Sequence, residues 1–184
     1  GVTLLVKRDD LTGMALSGNK IRKLEFSLAE AERHDATAVI TTGGVQSNHC
    51  RATAIAARKR GLTPYLMLRT PDGEPPAEPD GNHFLDQLVG AKLRYITPEE
   101  YRTRDILMAR WADELRGAGE TPFVIPEGAS DALGSLGYVN MAAELKQQVD
   151  SGELPGGATP QFVVHACGSG GTAAGLAAGL AWQG

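Results

Sequence analysis

Six short, β-rich apolar runs punctuate this chain, at residues 3–6, 38–42, 65–68, 93–96, 123–125 and 162–165. Runs this apolar read as strands buried on both faces. Between them lie stretches of helical spacing: Ile21, Leu24, Leu28 and Ala31, then residues 52–60, 84–89, 106–115 and 136–149. Strand alternating with helix implies right-handed parallel crossovers, so an α/β fold with an open parallel sheet flanked by helices is expected. Arg60-Gly61 and Gly117 stand where helices should end, and Thr97-Pro98-Glu99-Glu100 opens another with an acidic first turn. The longest loop, residues 70–81, holds four of the ten prolines and reads as an exposed excursion or lid. A Gly- and Pro-rich loop at 151–160 precedes the last strand-like run.

Composition narrows the partners. With 184 residues, 42% of them apolar, the chain suffices for one ordinary domain or two small ones. Eighteen basic against 22 acidic residues give a net charge of −4 with no long basic block, which argues against a nucleic-acid surface. The longest apolar run, residues 173–182, has ten residues, half of the roughly 20 needed to cross a bilayer, so no membrane span is expected. Cys50 and Cys167 stand far apart without metal spacing, and no secretory signal opens the sequence, which favours a reducing, cytoplasmic setting. The start without Met suggests that something upstream is missing. His34, His83 and His165 are isolated from acidic partners at ligand spacing, so no metal site is expected.

Three segments could carry chemistry. In the first, residues 17–25, Ser17 or Asn19 is placed to cap a helix with Lys20 in its first turn. Positive potential there disfavours the ammonium and favours the free amine, the species that forms a Schiff base or takes a proton. The plainer alternative is a solvated lysine, and Lys23, one turn on, is expected to be one.

In the second segment, residues 41–51, a buried strand ends in Gly43-Gly44 and a helix follows at once. Ligands of open α/β sheets bind at such carboxyl ends. Ser47, Asn48 and His49 offer a hydroxyl, an amide and free N–H groups suited to a carboxylate or phosphate. A capped helix satisfying only its own backbone is the equal alternative.

In the third, residues 162–175, a strand-like run leads into Gly168-Ser169-Gly170-Gly171-Thr172 and a helix of small residues, an arrangement that cradles phosphate. It departs from the dinucleotide fingerprint, whose next glycine falls on Ala173, though alanine occurs there in some variants, so a nicotinamide-dependent oxidoreductase is kept as an alternative. Gly171, Gly175 and Gly179 form one helix face, expected to lie close against a sheet. Glu127 to Asp131 follow another strand and could close the pocket, with Ser130 or Asp131 as a helix cap.

Together, Lys-Arg-Asp-Asp-Leu-Thr-Gly at 7–13, Gly-Asn-Lys-Ile-Arg-Lys-Leu-Glu at 18–25, Gly-Gly-Val-Gln-Ser-Asn-His at 43–49, Ile-Pro-Glu-Gly-Ala-Ser-Asp-Ala-Leu-Gly at 125–134 and Gly-Ser-Gly-Gly-Thr at 168–172 resemble, in order, the D-cysteine desulfhydrase and 1-aminocyclopropane-1-carboxylate (ACC) deaminase family. These are pyridoxal 5'-phosphate enzymes of the tryptophan-synthase-β type, fold type II. The resemblance implies two domains: a smaller one at residues 24–125 and a larger one, apparently truncated, from 1–23 and 126–184. It implies Lys20 as Schiff-base lysine and proton-transfer base, and Asn48 on the cofactor's phenolic oxygen. Gly168, Ser169, Gly170, Gly171 and Thr172 would hold its phosphate. Ser47 would face the substrate's α-carbon, with Asn48 and His49 completing a carboxylate site. A small amino acid is the implied substrate, a homodimer the implied assembly, and a truncated non-catalytic member a further alternative. Ser-Asn-His at 47–49 resembles the desulfhydrase branch more than the Ser-Asn-Gln of ACC deaminases. Ala129 and Asp131 stand where the family more often has Gly and Asn.

Overall fold

The computed structural model describes residues 2–13 and 15–183. Gly1 and Gly184, the outer limits of the expected larger domain, lie outside them. Four strands, β1 (Ala38–Gly44), β2 (Thr63–Arg69), β3 (Lys92–Ile96) and β4 (Pro122–Val124), form one all-parallel sheet in the order β3-β2-β1-β4. Among the described residues six α-helices accompany them: α1 (Lys20–Arg33), α2 (Asn48–Lys59), α3 (Gly81–Leu88), α4 (Arg104–Gly117), α5 (Ala132–Asp150) and α6 (Gly171–Gln183).

The strands sort their side chains by alternation. Val39, Leu66 and Leu68 point to the side covered by α1, α2 and α3, where they meet Leu24, Leu28, Ala52 and Ala54. Ile40, Met67 and Ile96 point the other way, onto Met108, Trp111 and Leu115 of α4. Only the central strands β1 and β2 are deeply buried; β3 and β4 are edges with partly exposed faces, contrary to the expectation that every run would be enclosed. The buried hydroxyls of β1 are satisfied internally: Thr41 donates to the Ile125 carbonyl and Thr42 to that of Met67, both at 2.8 Å.

Two predicted strands are absent. Residues 3–6 and 162–165 form no strand, with Val2, Leu4, Phe162 and Val164 largely exposed. Apolar content alone does not make a strand; a ladder needs a neighbour, and the described residues supply none for either run. The helix expected from Thr97 starts later, because residues 100–103 form a 3-10 turn before α4. The proline-rich loop is exposed over most of residues 71–81, as read from its composition.

The glycine face of α6 meets a helix rather than a sheet. A Cβ at Gly179 would lie 2.6 Å from that of Ala142, and one at Gly175 2.6 Å from that of Tyr138, both on α5. On its other side α5 meets α1, where a Cβ at Gly137 would overlap the Arg22 carbonyl. These close approaches stack α1, α5 and α6 beside the sheet and bring the start of α6 to the start of α1.

Candidate active site

Lys20 opens α1 at a turn closed by Gly18, whose φ of +102° suits glycine. Neither Ser17 nor Asn19 caps this helix with its side chain, contrary to expectation; Asn19 already has helical angles. Arg51 of α2 instead donates to the Ser17 carbonyl at 3.1 Å, fixing the segment that leads into Lys20. The Lys20 amine is half-buried, and burial lowers its pKa, opposed by the charge of Glu127. Desolvation is therefore the main cause of the shift that the sequence attributed to helix-terminus potential.

Lys23 is a correction. Far from being solvated, it is 1% exposed, and burial with the nearby Lys20 charge brings its pKa down to about 8. Its amine donates to Ser130 Oγ at 2.9 Å. Space for it exists because Gly171 lacks a side chain: a Cβ there would lie 2.7 Å from Lys23 Nζ. Gly128 plays the same part for Lys20, at 3.1 Å from its Nζ.

Residues 168–172 face these amines. A cavity of about 60 Å³ is lined by Lys20 and Lys23 on one side and Cys167, Gly168, Ser169 and Gly170 on the other, with Thr172 at its end. That is room for a few waters or a small tetrahedral anion. The backbone N–H groups of residues 168–172 have no acceptor among the described residues, so they are free to donate. Ser169 Oγ lies 2.5 Å from Ser130 Oγ, joining this loop to the turn after β4. Asp131 is the helix cap, accepting from Gly134 N–H at 2.7 Å. Two amines opposite a row of free N–H groups fit a phosphate.

The second predicted segment follows the carboxyl end of β1, and none of its residues lines that cavity. Ser47 caps α2, accepting from Cys50 N–H at 3.2 Å, while the N–H groups of Asn48 and His49 have no acceptor among the described residues. Asn48 is exposed, its side-chain oxygen accepting from Asn82 at 2.8 Å. His49 is buried, its Nε2 2.8 Å from Thr41 Oγ1. Since the Thr41 hydroxyl proton is spent on Ile125, His49 Nε2 carries the proton and its buried Nδ1 keeps an unpartnered lone pair. Burial and the two lysine charges push its pKa down to about 3, so the ring is neutral. His49 therefore does not offer the cationic side chain that a carboxylate site would use.

Four residues take parts that the sequence does not announce: Lys23 is buried rather than solvated, Ser130 bonds its amine rather than capping α5, and Asn82 and Gln46 hold the Asn48 side. The glycines at 128 and 171 were the available signal for a buried amine, since they vacate the volume it occupies.

A profile of the family described as "Pyridoxal-phosphate dependent enzyme" matches residues 1–184. Over its whole length the chain is 45% identical to 46% of the bifunctional D-cysteine desulfhydrase/1-aminocyclopropane-1-carboxylate deaminase, mitochondrial, of Arabidopsis thaliana. Over 99% of its length it is 46% identical to 55% of a putative 1-aminocyclopropane-1-carboxylate deaminase of Thermotoga maritima. A crystal structure of an ACC deaminase homologue superposes with a TM-score of 0.81 at 41% identity, over 95% of this chain and 50% of that one. The chain thus spans about half the length of the curated relatives it matches. An O-acetylserine-dependent cystathionine β-synthase of Helicobacter pylori, at 18% identity and a TM-score of 0.64, shares the fold. Nothing here favours the nicotinamide alternative, and the run before Gly168 forms no strand from which a dinucleotide turn could spring.

Proposed function

Because this chain belongs to the pyridoxal-phosphate-dependent enzymes, we propose that it carries the cofactor-binding and lysine-bearing half of a lyase or deaminase acting on a small amino acid, most like the D-cysteine desulfhydrase and ACC deaminase pair. The observation that carries this reading is the cavity with two amines on one side and the free N–H groups of 168–172 on the other. Bound pyridoxal phosphate would supply an electron sink for cleavage at the substrate's α-carbon or, with ACC, its ring.

The chain's own residues divide the remaining work. Gly168, Ser169, Gly170, Gly171 and Thr172 would hold the phosphate through backbone N–H groups. Lys20 would supply the amine that bonds the cofactor and takes or returns the substrate proton at Nζ; burial lowers its pKa, which favours the free amine. Lys23, fixed on Ser130, would stand beside the phosphate, its own pKa lowered by burial and by the Lys20 charge. Asn48 would donate to the phenolic oxygen. Ser47 and the N–H groups of Asn48 and His49 receive the substrate carboxylate, and Ser-Asn-His at 47–49 favours the desulfhydrase branch. Residues 24–125, which contain the whole four-stranded sheet, serve as the smaller domain, with 1–23 and 126–184 in the larger. A homodimer and a cytoplasmic setting complete the proposal; no helix among the described residues is long and apolar enough to cross a membrane.

The test is reductive trapping. After incubation with pyridoxal phosphate and borohydride, peptide mapping should find the label on Lys20, and Lys20→Ala should stay colourless. A label on Lys23 alone, or a colourless wild-type chain, would refute the assignment.

A further inference from the structure

Asn48 is exposed, and a free asparagine amide can present either its oxygen or its NH2 group to a ligand. Here the choice is made by residues more than thirty positions away. The Asn82 backbone N–H donates to Gln46 Oε1 at 2.9 Å, so the Gln46 oxygen faces the start of α3. Gln46 Nε2 is thereby turned to Asp80, donating to its carboxylate at 2.6 Å and to its carbonyl at 3.3 Å. Asn82 Nδ2 donates to the Gln46 carbonyl at 2.9 Å, a group that can only accept, so that atom is the nitrogen. Its second hydrogen goes to Asn48 at 2.8 Å, which must therefore offer Oδ1. Backbone groups and a carboxylate, which have no ambiguity, fix every amide in the chain of bonds. The NH2 group of Asn48 is what remains to face a ligand.

We infer that Asn82 is a positioning residue that locks the Asn48 amide with its NH2 group outward, as a donor for an anionic oxygen such as the phenolate of the cofactor. This rests on the reading of Asn48 given above. Gly81 shares in the arrangement: its φ is +49°, and a Cβ there would lie 2.6 Å from Gln46 Oε1, so the bend that delivers Asn82 to Gln46 has no room for a side chain.

The test uses the full chain labelled with 15N-asparagine, whose four asparagines (19, 48, 82 and 140) give a sparse set of side-chain amide signals. In Asn82→Asp the new carboxylate accepts but cannot donate, so the Asn48 amide turns its NH2 group inward. The expected results are about tenfold slower solvent exchange of the Asn48 amide protons and about tenfold weaker pyridoxal phosphate binding, with no further weakening when Asn48 is already Ala. Unchanged Asn48 exchange in a folded Asn82→Asp chain would overturn the inference, as would an equal loss of affinity in the Asn48→Ala background. Should Asn82→Asp fail to fold, Asn82→Ala removes the donor without adding charge. Its Asn48 amide should then average between orientations, and a fixed one would count against the inference. If pyridoxal phosphate leaves the wild-type Asn48 signals unmoved while exchange responds to Asn82→Asp, the cofactor reading fails and the orientation stands.

Discussion

The amine of Lys23 donates to Ser130 Oγ at 2.9 Å, and Ser130 Oγ in turn lies 2.5 Å from Ser169 Oγ. One buried amine is thus joined through a single hydroxyl to the glycine-rich loop at the start of α6. The second amine, Lys20, sits one helical turn earlier, and the two charges disfavour each other.

Lys23 should make the apo chain more stable as alkali is added. Its folded pKa of about 8 lies below the unfolded value, near 10.4, so folding releases a proton between them and stability rises over that window. Lys23→Met should flatten most of this rise and raise stability near pH 8 by on the order of 3 kcal/mol, leaving the smaller slope due to Lys20. Urea midpoints between pH 8 and 10.5 measure it, and an unchanged slope would contradict the burial of Lys23.

Asp86 acts in the opposite direction. It is fully buried with both carboxylate oxygens unpartnered among the described residues, and burial pushes its pKa up to about 7 against the pull of Arg51. Folding takes up a proton between about pH 4 and 7, so stability falls as pH rises through that range. Asp86→Asn should remove the fall and stabilise the chain at pH 8 by about 1–2 kcal/mol, the neutral amide still lacking a partner.

The central elements were legible because each advertises itself locally. Val39 and Ile40 lie in an unbroken apolar run, and Leu24, Leu28 and Ala31 recur at helical intervals. What was illegible depends on distant neighbours. Phe162 to His165 looks like a strand, yet strand formation is decided by a partner ladder. Lys23 looks like a surface lysine, yet its burial is decided by glycines more than a hundred residues away. Likewise, nothing local to Asn82 announces that it meets Gln46, since Asx residues at helix starts usually serve their own backbone. For the site, the structure places Lys20 and the loop at 168–172 around one cavity, and of the two readings of Ser47, cap or ligand, it shows the cap.

Helix contact through glycine gives a paired prediction. Gly137→Ala should cost about 1–3 kcal/mol, because its Cβ would overlap the Arg22 carbonyl across the α1–α5 contact. Gly117→Ala, in the last turn of α4 with open space around it, should instead gain about 0.5–1 kcal/mol. Thermal denaturation of both variants decides it; equal effects would mean that α1 and α5 are farther apart.

The N-terminal segment is anchored by Asp9, which accepts from Arg22 at 2.9 Å and from the Tyr138 hydroxyl at 2.8 Å. Asp9→Asn should cost about 1–3 kcal/mol and speed proteolysis before residue 18. Glu144→Gln, which weakens the more exposed bonds to Arg22 and Lys7, should cost under about 1 kcal/mol.

The tie between Gln46 and Asp80 divides the proline-rich excursion into two regimes for protein engineering. Upstream of Asp80, a peptide tag or grafted epitope lengthens a span whose closure entropy grows only slowly with length, so insertions between 72 and 78 are affordable. Downstream, adding even one residue between Asp80 and Asn82 changes the register of both anchors at once, and the β1–α2 turn with them. Length variation among natural chains of this kind should accordingly accumulate before that aspartate and stop at it.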